Sequence, residues 1–122
     1  MLETFRCRDP LDREIVLWDD RWYNKIIHPR RGRPQLANSL DDIRLTLTHP
    51  DLINADKTRT GVEVYYRSGV VLPAPYGRSI LKVCVLFSED EWGDVSGSIL
   101  TVYPVHEPHP LERRLWPPTS DH

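Results

Sequence analysis

An unperturbed imidazole titrates near neutral pH, so the five histidines of this 122-residue chain are the first side chains to weigh for proton transfer. His28 stands apart because Pro29 follows it, and proline disfavours a helical backbone at the residue before it. That places His28 at the exposed end of the helix predicted upstream. There it can act as base or acid, or simply sit against the negative end of the helix dipole. Around it the charge is uneven. From Arg21 to Leu40 there are five bases and no acid, which leaves 11 bases against 18 acids, or −7, on the rest of the chain. Such a segment is suited to gripping a phosphate-bearing ligand through Lys25, Arg30, Arg31 and Arg33. It also fits a solvated loop, since Pro29, Gly32 and Pro34 interrupt it.

Other candidates lie on predicted strands. In Val62–Arg67 strict alternation puts Glu63, Tyr65 and Arg67 on one face and Val62, Val64 and Tyr66 on the buried one. Tyr65 can then stack on a base and Arg67 can pair bidentately with phosphate oxygens; an exposed cross-strand Tyr–Arg pair fits equally well. Ile99, Thr101 and Tyr103 share a face of the closing strand, where two hydroxyls can line a groove, although both residues are also good strand formers. Lys82 interrupts the most apolar run and either snorkels to the rim or points into a polar site. His106-x-x-His109 has the spacing of two metal ligands, but it lies in a proline-rich tail with no Cys, so no metal is expected. Glycine-rich phosphate loops, a serine nucleophile elbow and zinc-finger spacing are all missing from the sequence.

The elements that must position these residues follow from period and punctuation. Glu14–Trp18 is a short β-prone run. Asp19 or Asp20 then caps a helix with Trp18, Trp22 and Ile26 every four residues, ending at His28. A basic loop, 29–38, leads to a second helix opened by Ser39 and Asp42 as a capping-box variant, buried through Leu40, Ile43 and Leu47, and stopped by His49-Pro50. Strands are predicted at Leu52–Asp56, Val62–Arg67, Ile80–Phe87 (the central one) and Ser98–Tyr103. The predicted architecture is α+β: N-terminal helices packed on a single antiparallel sheet of about four strands. Residues 1–104 form the domain, and 105–122, with four of the eleven prolines and a fifth at Pro104 just before it, form an extended tail. No apolar run approaches the roughly 18–20 residues of a membrane span. Two cysteines, Cys7 and Cys84, are too few for a disulfide framework and read as reduced thiols of a cytoplasmic protein.

The motifs also have an order. Trp22, then His28-Pro29, then His49-Pro50-Asp51-x-Ile53, then Val64-Tyr65-Tyr66-Arg67, then Leu81-Lys82-Val83-x-Val85 and Thr101-Val102-Tyr103 span about residues 14–104. This resembles the phage-associated branch of the barnase/EndoU/colicin/RelE-like (BECR-fold) nucleases. There a tryptophan, an "HPE", a "PD-I", a tyrosine-rich strand and a closing "T-A-Y" follow one another. Arg30 stands where the family has an acid after His-Pro, Val102 where it often has a small residue, and Arg30–Asn38 is a long basic insertion.

The resemblance implies a RelE/barnase-like fold and a metal-independent endoribonuclease, a toxin or phage-derived effector that uses no cofactor. In that chemistry the 2′-hydroxyl attacks the neighbouring phosphate. It needs a base for the 2′-OH, cations or donors for the phosphorane, and an acid for the 5′-oxygen. The residues carried over to those roles are His28, Arg67, Thr101 and Tyr103, with Lys25, Arg30, Arg31, Arg33, Tyr65 and Lys82 as substrate contacts. The implied partners are RNA, either tRNA or mRNA, and a neutralising antitoxin or immunity protein; no membrane is implied. The substitution of Arg30 and the acidic body fit an alternative, a catalytically silent domain that binds RNA or a protein partner. A third option is a protein-interaction module using the tail and Trp116.

Overall fold

The computed structural model describes residues 1–119. Strand β1 (Glu3–Arg8) pairs antiparallel with β2 (Glu14–Trp18), because Phe5 and Cys7 alternate inward while Arg6 and Arg8 face solvent. Downstream lie β3 (Leu52–Ala55), β4 (Val62–Leu72), β5 (Gly77–Glu89), β6 (Val95–Val105) and β7 (Arg113–Trp116). Together they form one seven-stranded sheet in the order β1-β2-β6-β5-β4-β3-β7. The β2–β6 pair is parallel, Glu14–Val16 against Ser96–Ser98, and the other pairs are antiparallel.

The predicted four-stranded antiparallel sheet under N-terminal helices, RelE/barnase-like, is therefore corrected to a mixed, mostly β domain. Three strand-forming segments enlarge it. Strand β1 closes one edge. The β4 and β5 strands run on past a bulge at Arg67/Val70, where Gly69 at φ +70° takes the left-handed turn, to a tip at residues 73–76. At the other edge β7 pairs with β3, so Arg113–Trp116 of the predicted tail, 105–122, join the sheet along with Val105 at the end of β6; residues 120–122 lie outside those described.

Helical structure is scant. The first helix is α1 (Asp19–Arg21), which widens at once into a π-helical turn, Trp22–Ile26, with the Ile27 N–H donating to the Trp22 carbonyl at 3.0 Å. Trp22 and Ile26 still reach the core as their spacing predicts. Helix α2 (Leu40–Thr48) forms as predicted and buries Ile43, Thr46 and Leu47. The expected capping box does not form: Ser39 occupies the N-cap position without a side-chain cap bond. The buried Thr46 hydroxyl is satisfied by donating to the Asp42 carbonyl at 2.7 Å.

The helices cover one face of the sheet with a core that includes Ile15, Leu17, Trp22, Ile43, Leu47, Tyr65, Val83 and Ile99. Alternation sends Val62, Val64, Tyr66 and Cys84 to the opposite, outer face, where Leu52, Ile80, Leu100, Tyr103 and Val105 pack against them. Neither face of β4 is left to solvent at Tyr65 and Tyr66. Among the described residues no helix is long and apolar enough to cross a membrane.

Candidate functional site

The loop after the π-helical turn is folded back by its own backbone. The Arg33 N–H donates to the Ile26 carbonyl at 2.6 Å and the Gly32 N–H to the His28 carbonyl at 2.9 Å. Gly32 presses so closely on the helix end that a Cβ there would lie 2.0 Å from the Lys25 carbonyl oxygen. Only glycine fits that contact, and it aims Arg33 towards the sheet. The Arg33 guanidinium carbon lies 5.2 Å from the centroid of the Tyr103 ring, a cation–π contact. The basic loop and the closing-strand motif thus meet near the end of β6. A groove of about 320 Å³ opens beside them, lined by Arg33, Pro75, Tyr76, Ser79, Pro104, Val105 and His106.

From Tyr103 the polar chemistry continues across the outer face. Lys82, opposite Tyr103 in the β5–β6 register, has its ammonium 5.4 Å from the Tyr103 ring centroid and 5.5 Å from that of Tyr66. It pairs at 3.1 Å with the carboxylate of Glu112, which arrives from the segment between β6 and β7. Tyr66 donates its hydroxyl to the other Glu112 oxygen at 2.5 Å, and the Asn54 amide donates to that same oxygen at 3.2 Å. The Glu112 side chain is fully enclosed. Burial alone would lower the Lys82 pKa, but the bonds to Glu112 and Tyr66 outweigh it and hold the group above the ordinary lysine range. Burial first, then the bond to Glu112, pushes Tyr66 up to about 12.

The helix side holds a different network. Arg13 grips Glu63 with two bonds, at 2.8 and 2.7 Å, and donates to Asp9 at 3.0 Å, with its guanidinium 4.1 Å from the Phe87 ring centroid. Tyr65 donates to Asp9 at 2.6 Å from a fully buried position, so the predicted base-stacking ring is instead part of the core. Burial, reinforced by the bond to Asp9, raises the Tyr65 pKa far above its ordinary value.

The structure thus brings together part of the predicted set. Arg33, Tyr103 and Lys82 form one continuous path, and Thr101, opposite Cys84, shares their face. Arg67 does not join them: it pairs with Leu81 of the helix-side core and so lies on the other face. The predicted "PD-I" acid, Asp51, accepts the Ser68 N–H at 2.7 Å and pins the bulge that follows Arg67. His28 stays on the folded loop, where its Nδ1 accepts the N–H groups of Arg30 and Arg31 at 3.1 and 3.2 Å. With Nδ1 an acceptor, a neutral His28 carries its hydrogen on Nε2 and offers a donor, not a base. Lys25, Arg30 and Arg31 are exposed around it.

Sequence reasoning missed Glu112, Tyr66, Asn54 and His106. Only the His106-x-x-His109 pair was noticed, as a metal spacing. In the fold His106 lines the groove, while the Nδ1 of His109 accepts the Leu111 N–H at 3.2 Å. A larger cleft, about 640 Å³, sits between the β1–β2 and β5–β6 turns. Its lining sets Asp12, Glu14, Asp90 and Asp94 against Arg8 and Arg13, a balance that repels a polyanion. No family model, curated protein or solved structure matches the chain.

Proposed function

We propose that this chain is a metal-independent endoribonuclease that works in the groove of Arg33 and His106 beside Tyr103. The observation that carries the reading is the contact of Arg33 with Tyr103 at the mouth of a groove that also contains an imidazole. A guanidinium and a phenol can hold the non-bridging phosphate oxygens and the charge that develops on them. His106, exposed at the groove, takes the 2′-hydroxyl proton as the 2′-oxygen bonds to phosphorus. The P–O5′ bond breaks, and the leaving oxygen is protonated from solvent at the open mouth. The exposed cations Lys25, Arg30 and Arg31 extend the phosphate track along the neighbouring loop. The motif order that resembles phage-associated nucleases supports the same substrate, and a reducing cytoplasm suits the two free thiols.

The test is incubation of the purified protein with RNA in EDTA. Cleavage is expected, with His106→Ala and Arg33→Ala each slowing it about 100-fold or more, the ordinary contribution of a positioned acid–base group or charge donor. Absence of product, or product formation indifferent to both substitutions, refutes the reading. Binding of RNA without cleavage is the second reading. It is favoured by the engaged Nδ1 of His28 and by Arg67 lying on the other face. Under it, affinity falls steeply with salt and no product forms.

A further inference from the structure

Glu112 sits where a ligand anion would. Three strands each contribute one donor to its carboxylate: Asn54 from β3, Tyr66 from β4 and Lys82 from β5. The acceptor comes from outside them, on a proline-rich connection held near that point by the Glu112 N–H to the His109 carbonyl at 3.1 Å. All three donors are on residues more than nine-tenths buried, so the cradle is built into the sheet, not assembled at its surface.

The fit is incomplete in one informative way. The Asn54 side chain is turned so that its NH₂ reaches Glu112, and its Oδ1, also buried, has no hydrogen-bond partner among the described residues. A carboxylate has no hydrogen to give it. Flipping the amide would only set oxygen against oxygen and orphan the NH₂ instead. An occupant that satisfies every group therefore needs two anionic oxygens for Lys82, Tyr66 and the Asn54 NH₂, and a hydroxyl or N–H donor beside them for Oδ1. A ribose 3′-phosphate has that combination, with its 2′-hydroxyl next to the phosphate; a deoxyribose 3′-phosphate lacks the donor.

We propose that the cradle of Asn54, Tyr66 and Lys82 is a binding site for a ribonucleotide 3′-phosphate, and that Glu112 is its internal occupant when the connection is closed down on it. The proposal rests on the RNA reading and adds a second phosphate subsite, one lysine away from the Arg33–Tyr103 groove. It makes RNA engagement competitive with closure of the 105–112 connection, and it assigns discrimination between RNA and DNA to one side chain, Asn54.

The experiment is calorimetric titration of the full chain and of Glu112→Gln with adenosine 3′-monophosphate, its 2′-deoxy analogue and inorganic phosphate. Gln keeps the shape of the occupant but loses its charge. The ribonucleotide is expected to bind Glu112→Gln at least tenfold more tightly than the native chain. The deoxynucleotide and phosphate should each bind that variant about tenfold more weakly than the ribonucleotide does. Adding Asn54→Ala should erase the ribo/deoxy difference, and adding Lys82→Met should abolish binding. Equal binding of ribonucleotide and deoxynucleotide, phosphate binding as tight as the ribonucleotide, or no gain over the native chain each overturns the proposal. If Glu112→Gln does not fold, the native chain decides. Millimolar adenosine 3′-monophosphate should then shift the Asn54 side-chain amide resonances, and unshifted resonances overturn the proposal. RNA cleavage in EDTA together with failure here removes only this site, whereas nucleotide binding here without cleavage removes only the nuclease reading.

Discussion

Replacing Glu112 by alanine should show how firmly the outer face depends on the segment between β6 and β7. The Lys82–Glu112 pair is 3.1 Å apart, with both side chains nearly or wholly enclosed. At an effective dielectric of about 20, two unit charges at that spacing attract by about 5 kcal/mol, and most of this is offset by the cost of taking both ions out of water. The net worth of the pair is therefore small, but removing one partner leaves the desolvation cost of the other standing. Lys82 would then face only the Tyr66 and Tyr103 rings, while the Tyr66 hydroxyl and the Asn54 NH₂ lose their acceptor. A loss of about 3–5 kcal/mol is expected for Glu112→Ala, out of the roughly 5–15 kcal/mol typical of a domain. Lys82→Met combined with Glu112→Ala, which deletes both charges, should be destabilised by about 2 kcal/mol or more less than the two single substitutions added together, the remaining loss being that of the unpaired Tyr66 hydroxyl and Asn54 NH₂. Urea unfolding followed by tryptophan fluorescence measures all four corners of the cycle. A Glu112→Ala cost below about 1 kcal/mol, or additive single substitutions, would refute the claim that this ion pair clamps the connection to the sheet.

Three other outcomes follow from the same geometry. Gly32→Ala must push its loop about 1 Å or more off the helix end, which should cost about 1–3 kcal/mol. It should also separate Arg33 from Tyr103, read as weaker RNA affinity and as altered Tyr103 ring resonances. Stability should be level near neutrality and fall as pH rises from about 10 towards 12. Tyr66, pushed up to about 12, and Lys82, also raised, keep in the folded state protons that the unfolded chain has already released, so their stabilisation is lost as pH climbs through that window. Unfolding midpoints across pH 8–12 check the sign, and Tyr66→Phe should flatten the slope. On the helix side, Arg13→Ala should cost about 3–5 kcal/mol by stranding Asp9 and Glu63, whereas Tyr65→Phe should cost only about 1.5–3 kcal/mol, its bond to the Asp9 carboxylate with the longer bond it accepts from Arg13. Thermal melts rank the two, and the reverse order would argue against a charge-centred network.

Elements whose signal is local were readable from the sequence. Helix α2 shows its stripe at Ile43 and Leu47 and its stop at His49-Pro50, and the runs that became β2 to β6 carry apolar or alternating residues between turn formers. What escaped was structure that only a partner strand makes favourable. In β1 two inward residues, Phe5 and Cys7, sit among charges, and the segment is a strand because β2 supplies its hydrogen bonds. In β7, Arg113-Arg114-Leu115-Trp116 follows prolines that suggest an open tail, yet β3 offers an unpaired edge and Trp116 packs against the helix-side core. The fold-back after the π-helical turn is likewise a tertiary effect, since the Arg33 N–H takes the Ile26 carbonyl from across the loop. The fold class departs from the expected one because segments with little propensity of their own complete both edges of the sheet, β2 joins β6 in parallel, and the first helix shrinks to a short turn.

The candidate site divides along the same line. Alternation placed Tyr65 and Tyr66 on opposite faces correctly, but a face is open to ligand only if nothing covers it, and here the helices cover one while Glu112 and its connection close over the other. Arg67 and Tyr103 looked like partners because both stand in motifs, whereas the β4–β5 and β5–β6 registers assign them to different faces. Lys82 is visible as a charge inside an apolar run, and it either snorkels to the rim or enters a polar site; in the second case burial is prohibitive without a partner, and a buried carboxylate must meet it. Period and spacing cannot say which of 18 acids it is. The fold selects Glu112, a residue in the proline-rich stretch whose sequence gave least reason to expect order. A tail that supplies the counter-ion of the most buried lysine is part of the domain's electrostatics, and truncation at residue 104 should destabilise the chain about as much as Glu112→Ala does, or more. A truncated chain as stable as the full one would show that Lys82 finds another partner.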